Sequence, residues 1–102
     1  MDEIKLVLSQ EEKEQYVFQI ISRAYKILHL FEEKDTSGFS PKEFIASQIF
    51  ELNAADSLFN GKLIKIIVKL KAIYDNYDHI TLREIKKQVF EVQKIANSLL
   101  KE

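Results

Sequence analysis

The residues best placed to do chemistry in this 102-residue chain surround its single proline, Pro41. From Glu33 to Phe44 the order is Glu-Lys-Asp-Thr-Ser-Gly-Phe-Ser-Pro-Lys-Glu-Phe, close in outline to a calcium-binding EF-hand loop. Such a loop needs oxygen ligands at positions 1, 3 and 5, a glycine at 6 and a bidentate glutamate at 12. Placing Gly38 at position 6 puts Glu33, Asp35 and Ser37 at the first three ligand positions. Position 12 then falls on Phe44, and Glu43 comes one residue early. Without the bidentate glutamate the cation loses its main anchor, so the stretch reads as a junction between two helices. Other chemistries fail sooner. His29 and His79 are the only histidines, and neither lies in an HExxH or Glu-x-x-His spacing. The absence of cysteine removes thiolate metal sites and thiol nucleophiles. Two glycines are too few for a phosphate-cradling loop. The carboxylate pairs Glu11/Glu12 and Glu32/Glu33 are adjacent on helices and point different ways. No catalytic activity and no cofactor are expected.

What remains is surface. At 100° per residue, Lys62, Lys65 and Lys69 fall within an arc of about 60°. With Arg83, Lys86, Lys87 and Lys94 they make the C-terminal half basic: residues 52–102 hold nine basic and six acidic side chains, against six and ten in residues 1–51. That stripe is either the wet side of two helices or a docking face for an acidic or membrane-proximal partner. Tyr74 and Tyr77 bracket a loop, where aromatic side chains act as binding anchors or seal the end of a core. The overall net charge of −1 sets up no field toward nucleic acid.

These residues need elements to hold them, and the composition indicates helices. Only two glycines and one proline serve the whole chain, whereas sandwiches and barrels need many turns. A first helix is predicted from Ser9, whose hydroxyl and Glu12 form a capping box, to Glu33 or Lys34. Its apolar set, Tyr16, Val17, Ile20, Ile21, Ala24, Ile27, Leu28 and Phe31, has three-four spacing. A second starts at Ser40 with Pro41 in the first turn and Glu43 three residues on. It turns Phe44, Ile45, Ile49, Leu52 and Ala55 inward, with Phe50 and Leu58 flanking. Asn60-Gly61 marks the break, and residues 53–59 belong either to this helix or to a kinked connection. A third helix over residues 62–74 is apolar at nine of thirteen positions and is expected to be the most buried. A fourth opens at the Thr81/Glu84 capping box and runs to about Leu100, with Leu82, Ile85, Val89, Val92, Ala96 and Leu99 on its core face and Phe90, Ile95 and Leu100 widening it. Residues 1–8 read as a tail or helical extension. The whole predicts one domain, an all-α antiparallel up-down four-helix bundle. The longest apolar run is three residues, so neither a membrane span nor a signal peptide is expected, and a cytoplasmic protein is.

The C-terminal half carries a family pattern. Gly61-Lys62-Leu63-Ile64-Lys65-Ile66-Ile67-Val68 leads into the aromatic-bearing loop Tyr74 to His79. Ile80-Thr81-Leu82-Arg83-Glu84 follows, and then Glu91 to Leu99 with the pair Ile95-Ala96. This resembles the immunity proteins of pediocin-like (class IIa) bacteriocins, of the enterocin A immunity type. The resemblance covers about residues 60–100 by pattern and the whole chain by architecture. It implies a cofactor-free cytoplasmic bundle, peripheral at the inner membrane face, that protects its host from a pore-forming peptide. The implied partner is the complex of that peptide with a sugar phosphotransferase permease. The implied docking residues lie on the third and fourth helices and their loop: Lys62, Lys65, Lys69, Tyr74, Tyr77, Lys86 and Lys87. The alternative is a generic helical protein-interaction module, a regulator or adaptor.

Overall fold

The computed structural model describes residues 8–33 and 40–101; residues 1–7, Lys34 and the loop positions Asp35, Ser37 and Gly38 of the EF-hand comparison lie outside them. Helix α1 spans Gln10–Glu33. At its start the Ser9 hydroxyl accepts from the Glu12 N–H at 3.1 Å, and the Glu12 carboxylate accepts from the Ser9 N–H at 3.2 Å. Helix α2 spans Pro41–Ala55, with the Ser40 hydroxyl accepting from the Glu43 N–H at 3.2 Å. Proline costs nothing in that first turn, because its missing N–H would have no partner in the helix. Helix α3 spans Ile64–Asp75, and α4 spans Leu82–Ser98, opened by the reciprocal Thr81/Glu84 box. A last 3₁₀ turn, Leu99–Lys101, continues α4.

The reversal between α2 and α3 is the tightest piece of the chain. After Ala55 the helix narrows to a 3₁₀ turn over Asp56–Phe59, which resolves the reading of residues 53–59 as mostly helix and then kink. Asn60 and Gly61 follow with φ of 56° and 78°, both left-handed. Asp56 ties the turn from both its oxygen types. Its carbonyl accepts from the Gly61 N–H at 3.1 Å, and its carboxylate accepts from the Leu63 N–H at 3.0 Å. Leu63, fully buried, then carries the chain into α3.

The four helices close into an up-down ring. α1 lies most closely against α4 and α2 against α3, while α3 on α4 and α1 on α2 complete it. A small central void is lined from all four: Ile20, Ala24 and Ile27 of α1, Leu52 of α2, Leu70 of α3 and Val92 of α4. Each end has an aromatic plug, Tyr16 on Phe59 at 5.2 Å and Phe31 edge-on to Tyr77 at 5.6 Å. At the α1–α2 seam Arg23 donates to the Gln48 side chain at 3.1 Å and pairs with Glu51. Burial is the main reason the Tyr16 phenol is held above its ordinary pKa; the nearby Glu51 charge adds to this and Arg23 opposes it.

Three inward assignments need correcting. Phe50, expected to flank the core, points into solvent; it lies about 150° from the centre of the Ile45–Leu52 stripe. Phe90 and Leu82 are likewise exposed on α4. Helix α3 has the largest buried share of the four, as expected, and within it Ile64 and Val68 face outward. Around α3, Ile64 and Val68 fall between Lys71 and Lys65, so angle marks them as outward where apolar composition does not.

Replacing Gly61 with alanine isolates the cost of the left-handed turn, because an added Cβ would meet only the Asp56 carboxylate, at 4.0 Å. The substitution should destabilise by about 1–2 kcal/mol through backbone conformation alone. Urea unfolding should show a lower midpoint with an unchanged slope.

Candidate interaction surface

The seven residues singled out from the sequence do not form one patch. They divide among three levels of the α3–α4 pair. Lys62 and Lys65 stand at the end where α3 begins and α4 finishes. There they border an open cleft of about 420 Å³ with Ile64, Ile95, Ser98 and Leu99. Both are exposed.

Lys69 sits midway and is engaged. Its ammonium reaches the Glu91 carboxylate of α4 at 2.6 Å. The hydrogen bond from Lys69 holds the Glu91 carboxyl below its ordinary pKa, partly opposed by desolvation, and the Lys69, Lys87 and Lys94 charges lower it further. The basic stripe is therefore partly a local ion-pair network across the α3–α4 seam.

Tyr74 and Tyr77 belong to the far end and are half-buried against the core. The Lys42 ammonium lies 4.6 Å from the centre of the Tyr74 ring, a cation–π contact joining α2 to α3. Tyr77 meets Phe31 of α1 edge to face, the geometry favoured by the ring quadrupoles. Burial raises the Tyr77 phenol pKa, with a smaller push from Asp78. Of the two roles the sequence left open for these tyrosines, the packing one describes their contacts. Lys87 lines a polar cleft of about 400 Å³ with Ala72, Asn76, His79, Glu84 and Gln88, where α3 ends and α4 begins. Lys86, about 100° further round α4, is exposed on another side.

The structure also exposes residues that pattern reading missed. Phe18 (70%) and Tyr25 (52%) protrude from α1, Phe50 (76%) from α2, Ile64 (55%) and Val68 (57%) from α3, and Phe90 (52%) from α4. Singly such side chains are ordinary on a protein surface; Ile64 and Val68, four residues apart, adjoin on one face. The available signal was angular: each lies well away from the centre of its own helix's apolar stripe. His29 pairs with Glu33 one turn on at 2.9 Å and lies on the surface. Among the described residues no cluster of three or more metal-binding side chains forms, and no helix is long and apolar enough to cross a membrane.

Comparison with known proteins finds no matching family model, curated protein or solved structure.

The Lys69–Glu91 pair makes a signed pH prediction. A carboxyl whose folded pKa is lowered contributes stability above its unfolded pKa and loses it as pH falls through the folded value. Between about pH 6 and pH 3, the stability difference between the native chain and Lys69→Met should therefore shrink. A carboxyl NMR titration should show the Glu91 midpoint moving up in that variant.

Proposed function

We propose that this chain is an immunity protein for a pediocin-like bacteriocin and acts as a binder with no catalytic step. It would recognise the complex of the pore-forming peptide with its sugar phosphotransferase permease from the cytosolic side. The observation that carries this reading is the placement of the resembling segment. Residues 61–99 are one unit, comprising the left-handed Gly61 turn, α3, the loop bearing Tyr77 and the Thr81-capped α4. The family pattern thus coincides with a helical hairpin that carries most of the chain's basic side chains. A hairpin whose inner face is committed to the core leaves only its outer side chains for recognition, so binding falls to Lys62, Lys65, Lys86 and Lys87. Lys69, Tyr74 and Tyr77 shape the hairpin from within.

The exposed Phe18, Phe50 and Phe90 favour a second reading, a helical interaction module for a different protein partner. Expression in a bacteriocin-sensitive strain separates the two. Under the immunity reading, resistance to at least one pediocin-like peptide should rise, and the triple variant Lys62→Glu, Lys65→Glu, Lys87→Glu should lose that protection with little change in melting temperature. No protection across a broad panel of such peptides would leave the interaction-module reading in its place.

A further inference from the structure

The outward stripe of α3 is apolar where a bundle helix is ordinarily polar. Ile64 and Val68 are both more than half exposed, and their spacing of four residues sets them one above the other on one face. Phe50 of the neighbouring α2 is the most exposed large apolar side chain among the described residues. Counted from the Asp56–Leu63 hydrogen bond at 1.5 Å per residue, Phe50 lies about 9 Å back along α2 and Val68 about 8 Å on along α3. On antiparallel neighbours these are the same level.

On α3 the rim of this patch is cationic, while on α2 the exposed Glu43 shares Phe50's side of the helix two turns away. Lys65 and Lys71 lie about 60° to either side of Val68. Both are exposed and make no ion pair among the described residues. The acidic Asp75 comes only at the C-terminal end of the helix. Lysine stems can lie along apolar surface while the ammonium reaches outward. Apolar side chains flanked by such lysines match the boundary between acyl chains and anionic headgroups. The exposed aromatics of α1 lack this match: Phe18 and Tyr25 share an arc of about 60° with Glu11, Glu14 and Glu32.

We propose that this face, Ile64 and Val68 of α3 with Lys65 and Lys71 at the rim and Phe50 at the same level of α2, docks the protein on an anionic lipid surface. The contact is weak and reversible and weakens with salt. It does not rest on the immunity reading: vesicle binding without protection would keep it and overturn that reading, and protection without vesicle binding would do the reverse.

The test is flotation of the full chain with vesicles of phosphatidylcholine alone and of phosphatidylcholine mixed with phosphatidylglycerol. The chain should float with the mixed vesicles at low salt and not with the neutral ones. Lys65→Gln with Lys71→Gln should reduce partitioning by about thirtyfold. Arg83→Gln with Lys101→Gln removes the same charge elsewhere and should reduce it far less. Val68→Ser with Phe50→Ser should weaken binding at unchanged charge, with circular dichroism confirming the fold. Absence of binding to the mixed vesicles, or equal losses for the two charge pairs, would overturn the proposal. So would the finding that these substitutions affect only capture of a protein partner.

Discussion

Closure of an isoleucine-rich centre is the constraint on which everything else rests. Ile45, Ile66, Ile73 and Ile85 retain no exposed surface, and they come from α2, α3 and α4. Val17 and Ile27 of α1 complete the enclosure at 1% exposure. Each such side chain contributes about 1.5–3 kcal/mol by leaving water, and none can do so until neighbouring helices arrive on every side. The bundle is therefore cooperative by construction. Of the two buried glutamines, Gln48 and Gln93, the first is satisfied because Arg23 donates to its side-chain carbonyl and is itself balanced by Glu51. That small network joins α1 to α2 at a seam with less packing than α1 on α4.

The helices were legible because their ends are written in local chemistry. Ser9 with Glu12 and Thr81 with Glu84 specify starts through hydrogen bonds between residues three apart, which needs no knowledge of the fold. The core face of α1 was legible for the same kind of reason, since three-four spacing with polar residues between allows one inward side; on α4 the same reading held for Ile85, Val89, Val92, Ala96 and Leu99 and failed for Leu82 and Phe90. Pattern reading weakens where that contrast fades. In α3 nearly every non-lysine residue is apolar, so composition does not separate buried Ile67 from exposed Val68, and only their angles to the lysines do. The candidate surface was less legible still. Lys69 looked like a free charge on a stripe, and its partner, Glu91, lies 22 residues away on a helix whose register only the folded bundle sets. Tyr77 was ambiguous until Phe31 stood against it.

These contacts give α3 two faces. Inward it supplies Leu63, Ile66, Leu70 and Ile73 to the centre. Along one flank it is tied to α4 through Lys69, and outward it presents Ile64 and Val68. A helix held this rigidly offers its outer side chains at fixed spacing, with little further ordering cost on contact. The Asp56-anchored turn sets where that outer surface begins.

Leu8 and Leu99 border the same cleft, together with Leu58, Phe59 and Asn60 of the α2–α3 reversal. Both described extremities of the polypeptide thus emerge at a single pole. A tag joined directly to Leu8 or Lys101 would crowd that pole and leave the opposite one, around Tyr77 and the start of α4, unobstructed. The same adjacency suits circular permutation of the described bundle: a short bridge could run from Lys101 to Leu8, with new ends opened in the loop before Thr81.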